Sequence, residues 1–498
     1  MARSSASCRP GAPPAWTPFE PCAMNDRVFA VLFVAALSSC RTVVGPDYER
    51  PSVELPDSWA ASDDVPEDAA AMPDEWWLAL GDPALDRIVE LVLSDSPSLE
   101  ESFARWEESL AVRGIAAADR LPTADLRYER RRDSGSEAFF PAGGGIQDTY
   151  TLGLDASFEP DLFGRIRRTI EAADADIEAR RADLEDLWRV LAADTAATYV
   201  DLRTIDAQLE LARANLAIQE ETLALVKAQQ VSGLADQLSV DRAQADASET
   251  EARIPQLEAD ARGLARRLAV LAGRTYPELP VDLREALEQP RVIPAAPPLP
   301  SLAPPAEIAE RRPDLRRLER DLAAQTARIG AAVADLYPSV TLFGFAGVSA
   351  PEQDQLFESL SRTWGFGPRF TWNVFDRRRI KNRVSVEEAR ADQARARFER
   401  AVLEAWDEVE DFALRYANEE TRLARLRTAA ESSARAVELA REQYAAGLVD
   451  LQVVLDTQRV LLGLSEQFAA SQGALTKNWI ALGRATSAGR LAIESPSG

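Results

Sequence analysis

Two stretches of this 498-residue chain, residues 161–254 and 376–495, contain no proline. Proline ends or kinks helices because it lacks an amide hydrogen and its ring clashes with the preceding turn. Each stretch can therefore continue as one helix until a glycine-containing break, at 232–236 in the first and at 446–450 in the second. A helix of about 68 residues, at about 1.5 Å per residue, is a rod on the order of 100 Å long. No compact globular domain needs such a rod.

The two rods belong to two copies of one plan, each about 200 residues long, and such repeats decide the architecture. Each copy begins with a helix, expected at about 85–118 and 305–335, and each helix ends shortly before Pro122 or Pro338. The matching phenylalanines Phe163 and Phe375 mark the turn from strand to rod in the two copies. The sequence therefore predicts an internal two-fold repeat.

Two strands are expected between the first helix and the rod of each copy, because apolar residues alternate there with polar or small ones. The alternating residues are Leu126, Tyr128, Leu152, Leu154, Ala156 and Phe158 in the first copy, and Val340, Leu342, Ala346, Val348, Trp364, Phe366, Phe370 and Trp372 in the second. Loops rich in glycine and proline are expected between the paired strands, at 135–145 and 347–351.

The second rod shows helical spacing along one stripe, which predicts a packing seam. The stripe consists of Phe398, Val402, Trp406, Val409, Phe412 and Tyr416. The proline-rich segment 275–304 is expected to be an equatorial linker outside any core.

Composition excludes several classes of function. The chain has no histidine, which removes the usual general base and the commonest metal ligand. Its net charge of −24 opposes the phosphate backbone, so nucleic acid is not expected as a partner. We expect no catalytic residue, no metal site and no cofactor.

The amino terminus has the three parts of a secretory signal. Arg27 precedes an apolar run at 28–37, and small residues follow before Cys40. The run is too short to span a bilayer, which takes about 20 apolar residues. Leu37-Ser38-Ser39-Cys40 resembles the bacterial lipobox, which implies cleavage before Cys40 and acylation of its thiol. Residues 1–39 are therefore expected to be an upstream extension and signal peptide, with Met24 as the true start.

No segment after Cys40 is a transmembrane helix, so a membrane crossing would have to use a closed barrel. Closed barrels need about eight strands or more, and four strands per chain therefore demand several subunits. The strands by themselves are equally compatible with a soluble hairpin that buries one face.

The order of these features resembles the outer-membrane factor (TolC-like) family, in particular its lipoprotein branch, which works with resistance-nodulation-division pumps. The resemblance covers residues 40 to 485. Its local marks are Val-Gly-Pro-Asp-Tyr at 44–48 with Pro51, Arg-Arg-Pro-Asp-Leu-Arg at 311–316, Phe-Gly-Arg at 163–165, Phe-Asp-Arg at 375–377, and the tip at 447–450 leading into 454–459.

The resemblance implies a mainly helical fold with a β-barrel sector, in which a homotrimer closes a 12-stranded barrel above a helical periplasmic tunnel. It implies a passive outer-membrane channel, anchored by lipid at Cys40, that docks to a periplasmic adaptor and an inner-membrane pump. The expected divisions are an extended belt at 40–84, a first repeat at 85–274, the linker at 275–304, a second repeat at 305–485 and a tail at 486–498.

The resemblance also assigns roles by position. The adaptor would contact the tips at Gly233, Leu234, Gly447 and Leu448. A constriction would include Asp456, with Asp450 as a second candidate. Gln452 stands where the family often has an apolar residue, which weakens the usual pairing of an apolar ring with an acidic ring.

Two other classes of function remain open from the residues alone. One is a lipid-tethered periplasmic coiled-coil scaffold without a pore. The other is an enzyme acting through paired carboxylates, which needs no histidine. No pair of acidic residues stands at a strand end where such chemistry would be expected. The transported compounds, the cognate adaptor and pump, and the resting state of the tunnel do not follow from the sequence.

Overall fold

The structure is a computed structural model that describes residues 43–59, 71–134 and 146–487. The expected signal peptide, Cys40, the loop at 135–145 and most of the C-terminal tail lie outside the described residues. The helices are α1 (Pro83–Asp95), α2 (Pro97–Ala118), α3 (Arg165–Val231), α4 (Gln237–Leu271), α5 (Val281–Glu288), α6 (Pro305–Arg311), α7 (Pro313–Ala334), α8 (Arg377–Ala445) and α9 (Leu451–Thr486). The strands are β1 (Thr123–Ser134), β2 (Ile146–Phe158), β3 (Ser339–Ala350) and β4 (Arg362–Thr371).

The opening helix of each half is broken, where the sequence pattern predicted one continuous helix. Pro97 is the first residue of α2, and Pro313 is the first residue of α7. Proline is well placed at a first helical position, because its missing amide hydrogen would have no partner there. The residue before proline is driven out of the helical region, so Ser96 and Arg312 are extended and separate two helices in each half.

The four strands form one antiparallel sheet in the order β1-β2-β3-β4. Its register pairs Leu126 with Leu154, Leu154 with Ala346, and Ala346 with Trp364. The prediction that a loop begins at residue 347 is wrong, because β3 continues to Ala350. The alternation of side chains along paired strands therefore holds to the end of β3.

The rods are continuous helices of 67 residues in α3 and 69 in α8. The predicted seam on α8 is confirmed at Phe398, Val402, Val409 and Tyr416, which are buried. Many of the buried positions on α3 are alanines, which let neighbouring helices approach closely.

The main core gathers tryptophans from distant parts of the chain. The rings of Trp76 and Trp479 meet edge to face, with centroids 6.2 Å apart, and Trp77 also lies in this cluster. Trp59 joins them and donates its indole hydrogen to the carbonyl of Ala303 at 2.7 Å. The expected belt is thus attached to the core by its aromatic residues.

The segment 275–304 is part of this core, which corrects the prediction that it lies outside. It contains α5 and buries Leu279, Leu283, Leu287, Ile293 and Leu299 against the rods. Carbonyl groups in this proline-rich segment need hydrogen-bond donors from elsewhere in the chain. Side chains of α8 and α9 supply them. The hydroxyls of Tyr416 and Thr476 each donate to a proline carbonyl of this segment at 2.7 Å.

The run at 44–48 is held by the buried side chain of Arg168 on α3. Its guanidinium donates to the carbonyl of Val44 at 3.2 Å and to the Asp47 carboxylate at 2.7 Å. Gly45 has φ +92°, and a Cβ there would lie 2.4 Å from the Gly330 Cα. This close contact between two backbones explains why the run contains glycine.

Tyr48 of the same run is partly buried beside Glu319, and burial together with this carboxylate raises the pKa of Tyr48 to about 12.

Candidate functional site

The two tips have the same backbone structure. Gly233 and Gly447 are left-handed, with φ of 73° and 74°. At the first tip, the amides of Gly233 and Leu234 donate to the carbonyls of Gln230 and Gln229 at 2.9 Å. The second tip repeats this pattern at Gly447 and Leu448, with distances of 3.0 and 2.8 Å. This is the Schellman ending of a helix, which requires a residue of left-handed conformation.

The side chain of the leucine that follows each glycine is largely exposed. In a Schellman ending this residue commonly packs back against the last turn of the helix. Here Leu234 is 79% exposed and Leu448 is 74% exposed. The structure therefore places all four predicted tip residues at the end of the rods, where two apolar side chains face outward.

Behind the tips, α3, α4, α8 and α9 share a small apolar cluster. It is formed by Leu223, Val226, Val240, Ala243, Ala440, Leu451, Val454 and Leu455. This cluster joins the two tip hairpins within one chain.

Asp450 lies at the tip and not beside Asp456. It is the residue that precedes α9, and its side chain makes no capping hydrogen bond. Its counterpart Asp236 precedes α4 and accepts from the amide of Ser239 at 2.9 Å. Hydrogen bonds from the Ser239 hydroxyl and from its amide hold the pKa of Asp236 below its ordinary value. The two tips therefore differ in how their aspartates are engaged.

Asp456 and Gln452 contact each other directly. They stand one helical turn apart on α9, and the Gln452 amide donates to the two carboxylate oxygens at 3.0 and 3.2 Å. The Gln452 oxygen in turn accepts from Arg242 of α4 at 3.2 Å. Gln452 is therefore a polar link between the Asp456 carboxylate and the neighbouring helix.

Arg459 is a member of this site that the sequence reasoning missed. Its guanidinium forms an ion pair with Asp246 of α4 and lies 3.9 Å from the Asp456 carboxylate. Asp246 is buried, and one of its oxygens lacks a hydrogen-bond partner among the described residues. Hydrogen bonding to Asp246 raises the pKa of Arg459. The three-residue spacing from Asp456 to Arg459 was the signal available in the sequence.

A third bridge joins the same two helices further from the tip, from Arg253 of α4 to Glu466 of α9 at 2.8 Å. One face of α4 and α9 thus carries alternating positive and negative groups. The charges on this face partly compensate one another, because groups on α4 pair with groups of opposite sign on α9.

The sheet has one apolar and one polar face. Even-numbered residues of all four strands share a face, as the register requires. That face carries Leu126, Tyr128, Leu152, Leu154, Phe158, Val340, Leu342, Val348, Trp364, Phe366 and Phe370. The opposite face is mainly polar and also holds two aromatic residues, Phe343 and Phe345. Its polar residues are Asp125, Arg127, Glu129, Thr149, Thr151, Asp155, Ser339 and Thr341.

The apolar face is open to its surroundings. Trp364 is 72% exposed and Phe366 is 81% exposed. Exposed apolar patches of this kind mark a surface that meets another protein or a membrane.

Neither a metal centre nor a helical membrane span is present in the described part of the chain. No cluster of three acidic, cysteine or histidine side chains could hold a metal ion there. Among those same residues, no helix is both long enough and apolar enough to cross a bilayer.

Comparison with known proteins gives consistent matches over both halves. The family model described as "Outer membrane efflux protein" matches residues 88–274 and 305–488. The toluene efflux pump outer membrane protein TtgF of Pseudomonas putida is 29% identical over 461 residues, which are 90% of this chain and 94% of TtgF. The outer membrane protein OprJ of Pseudomonas aeruginosa is 29% identical over 437 residues, 87% of this chain and 89% of OprJ. The solved outer-membrane channel OprN has a TM-score of 0.83 and 35% identity, and the match covers 90% of this chain and 99% of OprN.

Proposed function

Because this chain belongs to the outer membrane efflux protein family, it is an efflux channel of the outer membrane, and we propose that three copies assemble to form its pore. The membership confirms the family, the general function and the outer-membrane location that the sequence predicted. The family consists of channel proteins, and we propose that this chain catalyses no reaction.

The observation that carries the proposal is the exposed apolar face of the sheet. A soluble sheet buries its apolar face against a core, whereas a membrane sheet turns that face to lipid. Trp364 and Phe366 lie on this face without cover. The opposite polar face, with Asp125, Arg127 and Asp155, suits the lining of an aqueous pore.

The sheet order supports an assembly of several chains. β1 and β4 are the two edges of the sheet, so four strands leave two open ladders in each chain. Open edges are not tolerated in the bilayer core. Pairing β4 of one protomer with β1 of the next would remove every edge, and three chains would close a 12-stranded barrel.

The rods supply the periplasmic tunnel in this proposal. At about 1.5 Å per residue, α3 and α8 each extend on the order of 100 Å from the membrane sector. The repeated order of elements and the two separate family matches support an internal duplication, with repeats at 85–274 and 305–485.

A lipid anchor at Cys40 would add a second attachment to the outer membrane. The proposal rests on the lipobox resemblance of Leu37-Ser38-Ser39-Cys40. Cys40→Ala should abolish labelling by radioactive palmitate, and label that persists would contradict the anchor.

The test of the proposed function combines mass and conductance. Protein purified in detergent should have the mass of a trimer by light scattering and should give discrete conductance steps in planar bilayers. Protein that stays in solution without detergent and never conducts would favour the coiled-coil scaffold instead.

The exposed tip leucines support docking to a periplasmic adaptor, which would connect the channel to an inner-membrane pump of the resistance-nodulation-division type. The double variant Leu234→Asp with Leu448→Asp should abolish export in cells, because a carboxylate in an apolar contact loses its hydration. Conductance of the purified variant should stay unchanged, since the Schellman hydrogen bonds involve only backbone atoms.

Val292→Asp is the matched control for the tip variant, because Val292 is 82% exposed but lies far from the tips. Export should survive this change. Equal loss of export in the control and the tip variant would remove the leucines from the adaptor contact.

A further inference from the structure

Three arginines lie on the mainly apolar face of the sheet. Arg130 and Arg132 belong to β1, and Arg362 is the first residue of β4. All three have even numbers, and the register therefore places them on the face of Leu126, Trp364 and Phe366. A charge on a lipid-facing surface is destabilising unless it lies near the headgroups.

The arginines lie at the end of the sheet that is remote from the helices. β1 starts after α2, and β4 ends before α8, so the helices occupy the opposite end. Arg130 pairs with Tyr150, and Arg362 pairs with Val348, which are both close to the outer ends of their strands. The three side chains therefore belong to the outward end of the membrane sector.

The length of the apolar band agrees with this position. From Phe370 to Arg362 on β4, the chain advances about 27 Å at about 3.4 Å per residue. With a strand tilt of about 40°, this projects to roughly 20 Å, close to the apolar height of about 25 Å in outer-membrane barrels. The arginines begin where that band ends, at the headgroups of the outward leaflet.

Their positive charge is incompletely compensated. Asp148 of β2 lies between the two arginines of β1, with its Oδ1 3.7 Å from Arg130 and 3.9 Å from Arg132. Both distances are too long for hydrogen bonds. The Arg130 guanidinium also lies over the Tyr150 ring, 5.4 Å from its centroid. Arg362 forms no ion pair with another residue that the structure describes. One carboxylate thus lies near two of the three guanidinium groups, and at neither distance does it form a hydrogen bond.

Closure of the sheet would concentrate these charges. Arg362 is on one edge strand, and Arg130 and Arg132 are on the other. In the proposed trimer, β4 of one protomer adjoins β1 of the next, which would bring the three arginines to each of three seams. Trp364 lies two residues from Arg362 on β4, and Tyr128 lies two residues from Arg130 on β1, in both cases on the side toward the helices. These two aromatic side chains offer apolar surface for acyl chains.

We propose that each seam binds the phosphate of an anionic lipid headgroup in the outward leaflet. Guanidinium groups recognise phosphate through paired hydrogen bonds, and exposed tyrosine and tryptophan commonly sit at headgroup level. This inference rests on the proposed trimeric barrel. It adds a lipid ligand of defined chemistry and position that the channel function does not require.

The test measures lipid retained by the detergent-purified trimer in native mass spectrometry. The probes are lipid A, a glycolipid with two phosphates, and its monophosphorylated form. The wild-type trimer should bind up to three copies and prefer the bisphosphorylated form. The triple variant Arg130→Ala, Arg132→Ala, Arg362→Ala should bind lipid A about tenfold more weakly or worse, since each basic residue near an anionic surface contributes severalfold.

The matched control removes arginines from the opposite face of the same strand. Arg127→Ala with Arg131→Ala should leave lipid binding unchanged, because odd-numbered residues of β1 face the polar side. Equal weakening in both variants, or wild-type protein that binds the two lipids alike, would overturn the proposal.

Trimer mass and conductance, measured on the same samples, separate this inference from the proposed function. A trimeric, conducting protein without phosphate preference refutes the lipid site alone. A wild-type protein that is neither trimeric nor conducting refutes the barrel, and the lipid seam with it.

Discussion

Replacing Arg203 by alanine is expected to destabilise the protein by about 3–5 kcal/mol, as is typical when one partner of a buried ionic network is removed. Arg203 is fully buried on α3 and donates to the carbonyls of Ala286 and Gln289 at 2.8 and 3.1 Å and to Asp206 at 2.7 Å. It thereby satisfies one carbonyl in the last turn of α5 and one just after it, where a cation also interacts favourably with the helix dipole. The change should lower the midpoint of thermal unfolding, followed by circular dichroism of detergent-purified protein.

Arg203 is expected to matter because it joins three parts of the core. Its guanidinium lies over the Tyr199 ring at 4.7 Å, and the Tyr199 hydroxyl donates to Asp82 at 2.7 Å. Asp82 caps α1 by accepting from the amide of Ala84 at 2.9 Å. Burial raises the pKa of Asp206 and of Tyr199, so loss of the arginine would leave polar groups without compensation.

Arg213→Ala is the control for Arg203→Ala. Arg213 lies on the same helix and pairs with Glu258 at 2.8 Å, but its side chain is exposed. Exposed pairs contribute about 0.2–1 kcal/mol, so the unfolding midpoint should hardly move. Similar shifts in the two variants would show that the contacts of Arg203 with α5 do not stabilise the fold.

Local sequence patterns predicted those helices and strands that depend mainly on their own residues. Alternation located all four strands, and the absence of proline located both rods. Pro97 and Pro313 were equally visible, yet the helical pattern continued across them and suggested one helix in each half. Proline keeps the residue before it out of the helical conformation. It is nevertheless favourable as the first residue of a helix, so one proline can end one helix and begin the next.

Tertiary burial was not predictable from the same patterns. The segment 275–304 has the composition of a linker, and only contact with the rods shows that Leu283 and Leu287 are core residues. Arg203 resembled any surface arginine of a charged helix, because its partners are backbone carbonyls far along the chain. Positional resemblance predicted Asp456 as a constriction residue. It gave no indication of the polar and charged groups around Asp456, which come partly from α4.

Those neighbours determine what an acidic constriction at Asp456 would do. Three carboxylates near one axis would attract cations and disfavour one another. Within each chain, Gln452 donates to Asp456, and Arg459 divides its charge between Asp456 and the buried Asp246. Because Asp246 already engages Arg459, Asp456 retains much of its negative charge toward the solvent.

Asp456→Ala is expected to lower the preference for cations by on the order of fivefold. It should also raise the single-channel conductance, because alanine is smaller than aspartate and would widen a constriction at this position. A unit charge at about 4 Å in water is worth about 1 kcal/mol, which is a factor of about five in local ion concentration. The change also releases Gln452 from its bond to the carboxylate, while Arg242 and Arg459 keep their positive charge. Conductance and reversal potential in a salt gradient measure both effects.

Glu438→Ala provides the control, because Glu438 is exposed on α8 and lies at a similar distance from the tip as Asp456. Its removal takes away the same charge without touching the face shared by α4 and α9, so current and selectivity should stay as in the unaltered protein. If both variants change the current alike, general surface charge governs the ions. If neither does, Asp456 lies outside the narrowest part of the pore, and the acidic constriction has to be sought elsewhere, first at Asp450.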